Sequence, residues 1–286
     1  MRTAARFGRR RISFRGQFVV GAALIIVMLA FSFIAPLISP YTPTQLAGAP
    51  LQPPSSHFWM GTDTLGRDVF TRLFAAAQLD ILLIVLATAP PALGGALGGA
   101  AVAMTKRSWM SAGLMRVTDV AIAFPGVVLI LFISVIIPSD TSWLGLPPGS
   151  ASFLVAVYLV GWPLYARVAH AETRILRELD FIQATYVAGF SPWRRLTKHL
   201  LPAVLSSTGA IALSDSVAIL ATLAALPFLG AGVQPPVSEW GSMIYEARTQ
   251  IEFAPWNLVF PAVAVVWTGI GFVFVGDSLI SGKSRA

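Results

Sequence analysis

Residues 18–38 read FVVGAALIIVMLAFSFIAPLI, a run of 21 residues without an ionisable side chain. A helix rises ~1.5 Å per residue, so this run matches the ~30 Å hydrocarbon core of a bilayer. Five further apolar stretches follow at Leu79–Met104, Leu114–Ile137, Ser152–Ala171, Ala203–Leu229 and Trp256–Ile280. The whole chain is 56% hydrophobic and 12% charged, whereas a soluble domain carries about 25% charged residues. The deficit removes the polar surface that a soluble fold needs. The sequence therefore predicts an all-α integral membrane protein of about six transmembrane helices. Its 286 residues leave no room for a separate soluble domain of ordinary size.

The connections between the stretches set the expected orientation. Arg2, Arg6, Arg9, Arg10, Arg11 and Arg15 precede the first span, and Lys106, Arg107 and Arg116 lie between the second and third. Arg167, Arg174, Arg177, Arg194, Arg195 and Lys198 lie between the fourth and fifth, and Lys283 and Arg285 are in the tail. One side thus holds 17 of the 20 basic residues, against Arg67, Arg72 and Arg248 on the other. The positive-inside rule puts both termini and the basic connections in the cytoplasm, which an even number of spans allows. The first span is too long for a signal-peptide core and ends at Pro36 and Pro40 without a small-residue cleavage site, so it is expected to remain as an anchor.

Several function classes are excluded or weakened. Cysteine is absent, and His57, His170 and His199 are scattered, so neither thiol chemistry nor a metal-ligand pattern is in view. A membrane hydrolase would need a nucleophile–base or metal constellation that these residues do not offer. The net charge of +7 follows from the cytoplasmic bias and implies no nucleic-acid partner. No G-x-x-x-x-G-K-[ST] phosphate loop occurs, so nucleotide chemistry would have to reside in another chain. Asp215, inside the fifth stretch, is the clearest intramembrane charge. It faces either a watery cavity or neighbouring hydroxyls such as Ser214 and Ser216. An ion-coupled transporter would need more such groups and internal repeats. Gly94, Gly95, Gly98 and Gly99 form two overlapping small-xxx-small pairs that allow close helix approach.

The longest basic connection, residues 172–203, reads ETRILRELDFIQATYVAGFSPWRRLTKHLLPA. Ile182, Tyr186, Phe190, Trp193, Leu196 and Leu200 fall three and four apart, as on one helical face. Gly189 suits a left-handed helix stop, Ser191 an N-cap and Pro192 the first helical position. The expectation is a helix, a sharp break at Gly189–Phe190, and a second short helix ending near Pro202. Such a helix either lies on the membrane surface, helped by Arg194, Arg195 and Lys198, or docks into a soluble partner.

Gln183-Ala184-Thr185, then Gly189, then Leu201-Pro202 resembles the Glu-Ala-Ala loop of permease subunits of ATP-binding-cassette importers, with Gln183 in place of glutamate and Thr185 in place of the second alanine. His57–Asp68, HFWMGTDTLGRD, resembles the H-x-L-G-T-D-x-L-G-R-D signature of the dipeptide, oligopeptide and nickel permeases of that class. Further likenesses follow in register: Met115-Arg116-x-x-Asp119 with Ala123-Phe124-Pro125, then Phe228–Pro236 with Trp240-Gly241, then Gly276-Asp277-x-Leu279. The chain is most similar to the second of the two paired permeases.

That resemblance implies a prokaryotic inner-membrane permease with a cytoplasmic coupling helix between the fourth and fifth spans. Residues 1–17 would be a cytoplasmic segment, 18–78 the first span with an extracytoplasmic segment, and 79–286 the permease domain. The partners implied are a homologous permease, two ATPase subunits or domains that carry ATP and Mg, and an extracytoplasmic binding protein that delivers short peptides. Nickel or another small solute is the alternative cargo. Coupling would fall to Gln183, Ala184, Gly189, Phe190, Ser191, Pro192, Trp193, Arg194, Arg195, Lys198 and Pro202. Gly61, Thr62, Asp63, Leu65, Gly66, Arg67 and Asp68 would form the extracytoplasmic motif. Asp63, Arg67 and Asp68 are expected as an exposed ion-pair cluster that pins a turn or contacts the binding protein, and Asp215 as a candidate pathway group.

Overall fold

The computed structural model describes residues 14–105, 107–137, 142 and 145–283. Arg2, Arg6, Arg9, Arg10, Arg11, Lys106 and Arg285 lie outside them. The helices are α1 Phe14–Ile38, α2 Val69–Met104, α3 Ser108–Ala123, α4 Gly126–Ile136, α5 Ser150–Leu176, α6 Asp180–Val187, α7 Pro192–Arg195, α8 Leu201–Ala225, α9 Trp240–Ala247 and α10 Trp256–Lys283. No strand occurs among the described residues. Among the described residues, five helices are long and apolar enough to cross a membrane, and the bent pair α3–α4, counted as one, brings the candidate spans to six.

The apolar stretch read at Leu114–Ile137 is divided between the two helices of this bent pair. α3 and α4 meet at 83° across Phe124–Pro125. Both residues are extended, Phe124 at ψ 129° and Pro125 at ψ 116°. Proline lacks the N–H that would continue the helix and pushes its predecessor out of the α region, so the break falls at this dipeptide.

α2 is the central element. It packs along α5 over its length and also against α1 and α8, while α1 pairs with α10 and α10 with α8. Its 36 residues span ~54 Å, longer than the ~30 Å apolar core, so it extends beyond the bilayer at one or both ends. Of the four glycines read as a packing signal, two press on α5. A Cβ at Gly99 would collide with the Ala166 carbonyl oxygen, and one at Gly95 would stand 2.5 Å from the Trp162 carbonyl oxygen. Gly94 and Gly98 face open space. The apolar core has one cluster around Phe70, Leu73, Phe74, Leu220, Trp240 and Phe272, and another around Leu83, Ile130, Phe153, Leu154, Leu223 and Leu226.

Candidate functional site

The motif at 61–68 is folded into the start of α2. Asp68 caps that helix: its carboxylate accepts from the Thr71 N–H at 2.9 Å and the Thr71 hydroxyl at 2.6 Å. Gly66 has φ +79°, and a Cβ there would strike the Gly48 carbonyl oxygen, so glycine alone suits the turn. Thr62 stitches the preceding loop, its hydroxyl donating to Ala49 O and accepting from Gln52 N–H, each at 2.8 Å. Leu65 is the motif's exposed side chain.

The charges of this motif are buried, which corrects the expectation of an exposed cluster. Arg67 is 2% exposed and Arg72 1%. Arg67 Nε donates to Asp63 Oδ2 at 2.6 Å, and its Nη2 reaches Glu246 of α9 at 3.0 Å. Arg72 Nη1 pairs with the same Asp63 oxygen and with Glu246 at 2.9 Å. The expected cluster also loses Asp68, which caps α2, and gains Arg72 and Glu246. Sequence reading missed Glu246 because it lies 179 residues from Arg67 in a different loop. Two guanidinium and two carboxylate groups thus balance one another in a largely buried network.

A second acidic pair lies beside this network. Asp80 of α2 is fully buried; its Oδ2 accepts the Trp240 N–H at 3.0 Å. Glu239 caps α9 by accepting from the N–H groups of Gly241 at 2.7 Å and Ser242 at 2.6 Å. Burial pushes the Glu239 carboxyl up to about 7 from its ordinary 4.5, while the two N–H bonds hold it back. The native chain then keeps a proton that the unfolded chain releases. This contribution to stability is full below pH ~4.5 and is lost as pH rises through ~7. Glu239→Gln removes the titration. Relative to the variant, the wild type is expected to lose on the order of 2 kcal/mol of stability between pH 5 and pH 8.5. Unfolding temperatures of the two proteins across that range check it; parallel curves would mean that folding leaves the Glu239 titration unchanged.

Asp215 opens on a cavity of about 340 Å³ between α2, α4, α5 and α8. Its Oδ2 accepts the Tyr165 hydroxyl of α5 at 2.9 Å. The hydroxyls of Ser214 and Ser216, the alternative partners read from sequence, instead donate to their own helix, to Ala210 O and Ala212 O. Sequence reading missed Tyr165 because fifty residues separate it from Asp215. Beyond the cavity, α3 is tied to α5 by an Asp119–Arg167 ion pair, and α8 to α5 by Ser207 donating to Glu172 at 2.6 Å. Arg167, counted with the basic connection, thus sits inside α5.

The connection between α5 and α8 has a helix, a break and a second helix. α6 ends in a reversed turn: Phe190 N–H reaches Thr185 O at 3.0 Å and Gly189 stands at φ +73°. Ser191 then caps α7 by accepting from Arg194 N–H at 3.3 Å, with Pro192 in the first turn. The predicted end near Pro202 does not occur. α7 passes through a π turn, Leu196–Leu200, into α8, and the Leu201 N–H reaches back to Leu196 O. That wider turn lets the chain accommodate Pro202, which has no N–H, without stopping.

The apolar face of this connection divides. Ile182, Leu196 and Leu200 are buried within the chain. Trp193 is 72% exposed and Val187 92%. Phe190 stacks on His199 and under Arg194, and Arg195 lies over the Tyr186 ring. Gln183 donates to Arg177 O at 2.6 Å, while Ala184 and Lys198 are exposed. Val187 went unremarked in the sequence because it stands off the three-and-four spacing.

A helical bundle with one bent span, an intramembrane carboxylate in a cavity and a polar helix–break–helix at one end defines a polytopic membrane protein of the transport kind. The chain belongs to the family of binding-protein-dependent transport system inner membrane components, which residues 95–281 match. Residues 9–54 match the N-terminal transmembrane domain of oligopeptide transport permease C. Among curated relatives, the glutathione transport system permease protein GsiD of Pectobacterium atrosepticum is 31% identical over 91% of this chain and 84% of its own length. The dipeptide transport system permease protein DppC of Alkalihalophilus pseudofirmus is 32% identical over 91% and 83%, respectively. The GsiD protein of Escherichia coli O6:K15:H31 is 32% identical over 94% and 86%.

Proposed function

We propose that this chain forms half of the translocation pathway of an ATP-driven importer of short peptides. It pairs with a homologous permease, receives its cargo from an extracytoplasmic binding protein and is driven by two ATPase subunits or domains that supply the nucleotide and Mg chemistry. It is itself non-catalytic. Relatives named for dipeptide and glutathione transport support a peptide cargo. The structural observation that carries the reading is the bare Val187 and Trp193 on a polar connection. Exposed apolar groups on a charged connection call for a protein surface to cover them. ATP binding would draw the ATPases together, push on α6 and α7, and tilt α5 and α8, which continue directly from that connection. Asp215 lines the pathway. The buried knot of residues 61–68 presents Leu65 toward the binding protein and fixes α2 behind it.

The test is uptake of trialanine and glutathione by proteoliposomes holding the whole complex. Uptake that requires ATP and binding protein and survives collapse of the proton gradient is expected; uptake driven by that gradient would mark an ion-coupled transporter. The same reading sets the topology. A cysteine at Ser55 or Thr249, both exposed, should react in intact cells with an impermeant maleimide. One at the exposed Glu178 should react only after permeabilisation. The native chain has no cysteine to confuse the result, and the reverse pattern would invert the assignment.

A further inference from the structure

We infer that Asp215 is the binding site for the primary ammonium group of the transported peptide, a step that rests on the peptide-importer reading above. The carboxylate borders a cavity whose walls are otherwise apolar: Ala87, Ile130, Val157, Leu164 and Ile219 are among them. Tyr165 and Thr222 supply the other polar side chains of that lining. Among the described residues no cationic side chain lies within ion-pair distance of Asp215. Its hydrogen-bond donor is the neutral Tyr165 hydroxyl at 2.9 Å, on one oxygen. A half-buried carboxyl at the edge of a mostly apolar cavity, with one neutral donor on one oxygen, presents a ready acceptor for a cation.

The cation that fits this acceptor is one that arrives with the cargo. A peptide carries one: its α-amino group has a pKa of ~7.7–8.0 and is mostly protonated at neutral pH. An ammonium can donate to the carboxylate oxygen that Tyr165 leaves free. Tyr165 holds the other oxygen, so it acts as a positioning residue that turns the carboxyl toward the cavity. The rest of the wall is apolar and makes no directional demand on the side chains of the peptide. Such a site selects for the amino terminus and tolerates varied residues behind it.

The experiment uses the whole detergent-solubilised complex and adds the ligand directly, so that binding-protein selectivity does not enter. The probes are trialanine with a C-terminal benzophenone photo-crosslinker, and the same molecule acetylated on its amine. The free-amine probe is expected to label this chain at least tenfold more than the acetylated one. Asp215→Asn should abolish that difference, and Asp215→Glu should keep most of it, which separates loss of charge from loss of fold. Equal labelling by the two probes, no labelling of this chain, or full amine preference in Asp215→Asn would each overturn the inference. Equal labelling would point to a cation of the paired permease as the true partner. Trialanine uptake by wild-type proteoliposomes tests the underlying reading separately. Uptake that is indifferent to Asp215 sinks the ammonium site alone, whereas absent uptake sinks the peptide cargo.

Discussion

Replacing Arg72 with alanine is expected to cost about 3–5 kcal/mol and to remove most of the folded protein from the membrane. Arg72 is 1% exposed and lies between Asp63, 8% exposed at its side chain, and Glu246, 18% exposed. Taking it away leaves two carboxylates and one guanidinium in a place largely shielded from water. The cost is the uncompensated charge rather than the lost bond, because paired buried ions gain little over apolar groups of the same shape. A typical domain has only ~5–15 kcal/mol in hand. Arg72→Lys keeps the charge but loses the Nε contact to Ser238 and the guanidinium that brings Nη1 against both carboxylates, so an intermediate loss is expected. Glu246→Gln should be milder, since that carboxylate is partly wet. Adding Asp63→Asn to Arg72→Ala should restore part of the stability by restoring the charge balance, a coupling that a double-mutant cycle measures. Monodisperse yield and unfolding temperature in detergent read all four. Wild-type values for Arg72→Ala would mean that the network only decorates the surface.

The contrast between sequence and structure has a physical pattern. Hydropathy located every span because burial in lipid imposes one condition on each stretch separately. The break at Gly189 was legible too, since glycine, serine and proline state their backbone preferences within four residues. The ion-pair network was half legible. Asp63 and Arg67 lie four apart and announce themselves, but Glu246 enters through the packing of α9 on α2, which no local pattern encodes. Tyr165 was hidden for the same reason. The bend within the third stretch went unread for a different reason. Phe124-Pro125 was in view as part of a family likeness, and its local meaning, an extended dipeptide that turns the chain by 83°, was outweighed by the apolar run around it. At Pro202 the error ran the other way. A proline suggested a helix end, and the chain passed it by widening one turn to Leu196–Leu200.

Trp193→Ala is expected to weaken the grip of the ATPase by ~2 kcal/mol or more, with loss of the ATP hydrolysis that substrate-loaded binding protein stimulates. Trp193 is 72% exposed, so removing it leaves no hole in the chain and its effect falls on a partner. Val187, more exposed still, sits on the other side of the break and should act with it: Val187→Ser is expected to give a smaller loss, and the pair to exceed either. Arg195→Gln should be mild, because that guanidinium already rests on the Tyr186 ring and a charge at the wet rim adds little. Gly189→Val probes the frame rather than the surface. A Cβ there meets nothing within 4 Å, so crowding cannot explain harm. The backbone at φ +73° can: a β-branched residue resists that conformation by ~1–2 kcal/mol or more, and relaxing it would swing α7 away from α6. Gly189→Asn, which tolerates the left-handed region, should behave nearly as wild type. The measurement is ATPase activity of the reconstituted complex with and without loaded binding protein, together with the ATPase retained on purification. Full stimulation and full retention in both Trp193→Ala and Gly189→Val would make this connection a membrane-surface helix and leave the coupling to another part of the chain.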